Sequence, residues 1–98
     1  MLGPGKADLL EAIARTGELR RAARRLGMSY MRVWKLVRIM NGAFRDPLVE
    51  TTRGGAGHGT ARLTKTGTTV LAIYHEMERR SLAASGPGFR RLLRLLAN

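Results

Sequence analysis

Eight basic residues lie between Arg15 and Arg38, against a single acid, Glu18. Four of them, Arg20, Arg21, Arg24 and Arg25, come as two adjacent pairs, and Arg32, Lys35 and Arg38 follow at spacings of three. Guanidinium and ammonium groups at this density bind anions. Arginine's planar fork matches a phosphate with two parallel hydrogen bonds, and the same donors meet O6 and N7 of guanine. Other chemistries lack their parts. No nucleophile–base pair or paired carboxylates with a plausible site can be found, so no catalytic residue is assigned and the chain is not read as an enzyme. His58 and His75 are the only histidines, seventeen residues apart, with no carboxylate at ligand spacing. With no cysteine either, neither a metal nor a cofactor is expected. No Lys–Ser/Thr pair comes directly after the glycines of Arg53 to Thr60, as a nucleotide phosphate loop needs.

The whole chain carries the same bias. Eighteen Lys and Arg against seven Asp and Glu give a formal charge of +11 over 98 residues. Nucleic acid is the commonest partner for such an excess, and a membrane surface is its competitor. At 44% hydrophobic the chain is globular, with the core of one small domain. No apolar run approaches the ~20 residues that span a bilayer. MLGPGK lacks the apolar stretch of a signal peptide, so a cytoplasmic location is expected.

The cations need elements to position them. Met1 to Gly5 reads as a lead-in. From Lys6 to Thr16, Leu9, Leu10, Ile13 and Ala14 make one helical face, with Asp8 and Glu11 near the N-terminal end. Leu19, Ala22, Ala23 and Leu26 make the next, and Gly27 follows where a left-handed C-terminal residue is wanted. Ser29 then caps a third helix with the stripe Val33, Leu36, Val37 and Met40, ended by Asn41–Gly42. A short helix, a glycine-containing turn and a second helix resemble a helix-turn-helix. Pro47 to Thr52 and Thr60 to Leu63 read as two short strands around RGGAGHGT, which makes the unit a winged helix-turn-helix.

Thr64 is a good cap for a long helix to about Ser81, where Val70, Ile73, Tyr74 and Met77 fall at i, i+3, i+4 and i+7. This is more apolar surface than one small core needs, so these four residues are expected at a subunit interface, with coverage by the C-terminal segment as the alternative. Ser85-Gly86-Pro87-Gly88 predicts a break. Phe89 to Leu96 then forms a short amphipathic helix, with Arg90, Arg91 and Arg94 opposite its apolar side. Packing on its own domain is favoured over a membrane. The fold class is thus mainly α with a small β-hairpin. A winged helix-turn-helix over 1–63 is followed, in one compact unit, by a long dimerisation helix and a short C-terminal helix over 64–98.

The run Ser29-Tyr30-Met31-Arg32-Val33-Trp34, then Met40-Asn41 and Leu48-Val49-Glu50, leads into Gly54-Gly55-Ala56-Gly57-His58-Gly59 and Ala61-Arg62-Leu63-Thr64-Lys65-Thr66-Gly67. In order and spacing this resembles the N-terminal DNA-binding domain of the molybdate-responsive transcriptional regulators, the ModE family. That domain is itself similar to the winged helix of LysR-type regulators. The resemblance covers roughly Leu9 to Met77 and implies a homodimer on an operator of inverted symmetry. It places the recognition helices in successive major grooves and the wings on flanking backbone. Full-length members add molybdate-binding domains. This chain ends at Asn98, about where those would begin, so nothing in it is assigned to molybdate. A separate effector-sensing protein, a different signal or no ligand are the expectations left. His58 and Thr60 stand where the family tends to have glycine, which implies a stiffer wing and a pH-sensitive contact.

In a helix-turn-helix the start of the second helix reads base edges while the first crosses the backbone. Ser29, Tyr30, Met31, Arg32, Lys35 and Arg38 therefore face the groove. Arg32 and Lys35 are the candidates for guanine. Met31 is read as a thymine-methyl contact or as merely exposed, Ser29 as a helix cap that also touches phosphate, and Tyr30 as a phosphate donor or as packing against its neighbours. Trp34 is assigned to packing at the core edge. Arg20 and Arg21 are the phosphate contacts of the first helix, since four neighbouring arginines cannot share one face. Arg53, His58, Arg62 and Lys65 serve the wing. The leading reading is a sequence-specific, dimeric regulator of transcription acting on double-stranded DNA. The alternatives are a non-specific architectural binder and a DNA-docking subunit that works with a separate oxyanion sensor.

Overall fold

The computed structural model describes residues 4–53 and 59–95. Three helices come first: α1 (Pro4–Thr16), α2 (Leu19–Leu26) and α3 (Tyr30–Ala43). A hairpin of β1 (Val49–Thr52) and β2 (Thr60–Leu63) follows, then one long helix, α4 (Lys65–Leu95). The strands are antiparallel, with Val49 opposite Leu63 and Thr52 opposite Thr60.

The turn between α2 and α3 has its expected chemistry. Gly27 takes φ +66°, and its N–H and that of Met28 bond back to the carbonyls of Arg24 and Ala23. Ser29 is extended, and its hydroxyl accepts from the Arg32 amide at 3.1 Å. Gly17, at φ +74°, makes the turn between α1 and α2. Its carbonyl accepts from the Ala61 amide at 2.8 Å, so β2 is fastened by backbone to that turn.

The core gathers Leu9, Leu10, Ile13, Leu19, Ala22, Ala23, Val33, Val37, Met40, Leu48, Val49 and Ala61, all buried. Val70 and Leu71 of α4 pack against it. Ala7 and Ala12 of α1 are also buried, whereas Ala14, expected on the inner face, is exposed. The reason is that α2, α3, β2 and α4 all pack on α1, so its buried arc is wider than a single stripe and reaches the Ala12 side. Helix α1 also begins at Pro4, inside the expected lead-in, a residue tolerated in a helix's first turn.

The C-terminal part departs most from expectation. No break and no separate last helix occur: α4 runs through Ser85-Gly86-Pro87-Gly88 without interruption. Proline's φ is already helical, so its cost in a helix interior is one missing amide bond and a clash with the carbonyl four residues back. Helix formers on both sides, Leu82-Ala83-Ala84 and Arg90-Arg91-Leu92-Leu93, carry the backbone past it. The apolar side assigned to Phe89, Leu92, Leu93 and Leu96 lies outside the described side chains. Among the described residues, no helix is long and apolar enough to cross a membrane.

Candidate nucleic-acid interface

Helix α3 buries Val33, Val37 and Met40 and leaves the opposite side to Met31, Lys35 and Arg38, with Arg32 at one flank and Tyr30 and Trp34 at the other. All six of these outer residues are exposed. Arg32, Lys35 and Arg38 form no ion pair with any described residue, so their donors are available to an outside anion. Ser29 is exposed at the same end and already holds the Arg32 amide. Of the expected contact residues, α3 thus groups Met31, Lys35 and Arg38 on its outer side, with Arg32 and Tyr30 on opposite flanks.

The other expected cations fare unequally. Arg20 is exposed, with its guanidinium carbon 4.9 Å from the centroid of the Tyr30 ring, a cation–π contact that joins α2 to the start of α3. Arg21 is turned to Glu18, at 3.2 Å, and Arg62 to Glu50 across the hairpin, at 3.1 Å. Both pairs are largely exposed, so neither holds its arginine strongly. They do lower the net charge that each site offers. Arg53 and Lys65 are exposed at the hairpin and at the start of α4. His58 lies outside the described residues, as does the tip of the wing.

Asn41 is the residue whose part was not anticipated. Its Oδ1 accepts from the amides of Leu48 at 2.9 Å and Val49 at 3.1 Å, and its Nδ2 donates to the Val49 carbonyl at 3.0 Å. One side chain thus clips the end of α3 to the first strand of the hairpin. At the other side of the hairpin, the Thr64 amide donates to the Leu48 carbonyl and the Thr64 hydroxyl to the Pro47 carbonyl. Helix α3 and the base of the hairpin are held in one frame by these bonds. No spacing rule points to Asn41, because its partners lie seven and eight residues on and depend on the fold.

Trp34 was expected at the core edge, and it is exposed instead, with 36% of its surface accessible. Its indole N–H donates to the Tyr30 hydroxyl at 2.7 Å, so it packs on its own helix and not into the core. The i, i+4 spacing of the two aromatics was the available signal.

The stripe expected at a subunit interface divides. Val70 is half-buried against the protein's own core, and Tyr74 is half-buried with its ring edge-on to His75. Ile73 and Met77 remain 51% and 60% exposed. His75 in turn reaches Glu11 of α1 at 3.5 Å, which braces α4 against the first helix.

Residues 6–68 match the profile of the bacterial regulatory helix-turn-helix proteins of the lysR family. The chain is 42% identical over 77 residues to the molybdenum-pterin-binding protein MopA of Rhodobacter capsulatus, covering 79% of this chain and 29% of that protein. It is 42% identical over 74 residues to the molybdenum transport protein ModE of Herbaspirillum seropedicae, covering 76% of this chain and 28% of that one. To the DNA-binding transcriptional dual regulator ModE of Escherichia coli it is 35% identical over 71 residues, covering 72% and 27%. The chain thus spans under a third of the length of these relatives. Full-length LysG of Corynebacterium glutamicum, an LTTR, superposes with a TM-score of 0.68 at 20% identity over 94% of this chain and 30% of that one, a likeness of fold.

Proposed function

Because this chain belongs to the lysR family of bacterial regulatory helix-turn-helix proteins, we propose that it binds double-stranded DNA at defined sequences, as a homodimer in the cytoplasm, and thereby regulates transcription. The observation that carries this is the outer face of α3, where Met31, Arg32, Lys35 and Arg38 stand exposed opposite a fully buried stripe. A helix so divided can enter the major groove without disturbing the core. Arg32 and Lys35 read guanine, Met31 meets a thymine methyl, and Arg20, Arg21, Tyr30 and Ser29 take the backbone. Arg53, Arg62 and Lys65 carry the flanking contacts of the wing, to which the sequence also assigns His58.

The exposed Ile73 and Met77 support pairing through α4, which divides the protein into a reading unit up to Leu63 and a dimerisation helix beyond it. Two copies so joined place their α3 helices on half-sites about one helical turn apart.

Selection from a genomic DNA library at ~150 mM salt, where attraction by charge alone is screened, tests the proposal. An enriched palindrome with half-sites one turn apart is the expected result. Affinity without enrichment would replace specific regulation with a charge-driven architectural role.

A further inference from the structure

Trp34 has no place in the reading so far, yet its one hydrogen bond has a fixed polarity. An indole N–H only donates, so the Tyr30 oxygen, 2.7 Å away, must accept. The phenolic hydrogen is then left over and points away from the indole. Arg20 lies against the face of the same ring, so α2 and α3 together hold one hydroxyl in place.

Tyr30 and Trp34 form one wall of an open groove of about 400 Å³ whose other wall is the hairpin, with Thr52, Arg53 and Thr60. The Thr52 and Thr60 hydroxyls bond to each other across the strands. Each carries one hydrogen, so that pair keeps one for an outside acceptor. The groove thus offers two hydroxyl donors and a guanidinium beside an aromatic wall, with no carboxylate among its described lining residues. A guanidinium and two free hydroxyl hydrogens, with no carboxylate beside them, suit an oxyanion, and the aromatic wall suits the apolar face of a sugar.

We propose that Trp34 is a positioning residue for DNA: it turns the Tyr30 hydroxyl hydrogen onto a backbone phosphodiester seated in this groove and touches no base itself. The inference rests on the DNA-binding reading above. It distinguishes an aromatic that orients a contact from one that makes it.

The test titrates wild type, Trp34→Phe, Tyr30→Phe and the double variant on the selected duplex, and on copies carrying one neutral methylphosphonate at each backbone position in turn. Both side chains are more than a third exposed, so the variants should keep the wild-type melting temperature. Tyr30→Phe loses a bond to a charged acceptor and should weaken binding roughly tenfold. Trp34→Phe should weaken it about threefold, and the double variant no further than Tyr30→Phe alone, because nothing remains to orient. One methylphosphonate position should erase the difference between wild type and the variants. The salt slope of Trp34→Phe should match wild type, since no charge is removed. A Trp34→Phe loss that persists in the Tyr30→Phe background, or that changes base preference, would overturn the proposal by giving Trp34 a contact of its own. Unchanged binding by both variants overturns it alone, whereas a wild type that binds no duplex overturns the DNA reading with it.

Discussion

Arg32 and Asn41 carry opposite kinds of work on one helix. Arg32 is exposed and free of any described carboxylate, so Arg32→Ala should leave folding untouched. It should relax the preference at one base pair by about 1–3 kcal/mol, read as a flattened position in the selected operator. A uniform loss across all sequences would assign Arg32 to phosphate instead. Asn41 is half-buried and makes three bonds to the backbone of Leu48 and Val49. Asn41→Ala leaves two amides and a carbonyl short of partners, at a cost of about 2–4 kcal/mol. Urea unfolding should show that loss, and operator affinity should fall with it even though Asn41 reaches no DNA. An unchanged unfolding midpoint would mean that water replaces the side chain.

Among the elements, the approach of α4 to the hairpin is the tightest fit. A Cβ at Gly67 would lie 2.1 Å from the Leu48 carbonyl oxygen, a backbone atom that cannot swing aside. In an ordinary helix Gly→Ala gains ~1 kcal/mol. Here overpacking costs about 1–3 kcal/mol, and the rigid neighbour puts the result at the upper end. Gly67→Ala should therefore lower the melting temperature, and a rise would show that α4 slides to make room. The first three helices and their turns were legible from the sequence because periodicity, Gly27 and Ser29 are local signals. The hairpin was legible from β-formers on either side of a glycine cluster. Three features were not: the Asn41 clip, the Gly67 approach and the continuity of α4. The first two depend on residues brought close by folding. The third reverses a local signal, since Pro87 weakens a helix without being obliged to end it.

The whole molecule is a cation of formal charge +11, and its affinity for DNA should follow salt accordingly. If a dimer contacts six to ten phosphates, log affinity falls with log salt at a slope of about −5 to −9. Titrations between ~50 and ~300 mM would measure it, and a slope shallower than about −2 would remove the backbone contacts assigned to Arg20, Arg53 and Lys65. The frame built by Asn41, by the Thr64 bonds and by the Ala61–Gly17 bond has a mechanical corollary. The base of the hairpin is so tied to α3 that, on the proposed DNA-binding reading, the two would meet a duplex as the jaws of a calliper. The gauge they set is the distance from major-groove floor to flanking phosphates. Sequences that reach it without bending should then be favoured even at base pairs no side chain touches, and stiff duplexes of the wrong width should bind more weakly.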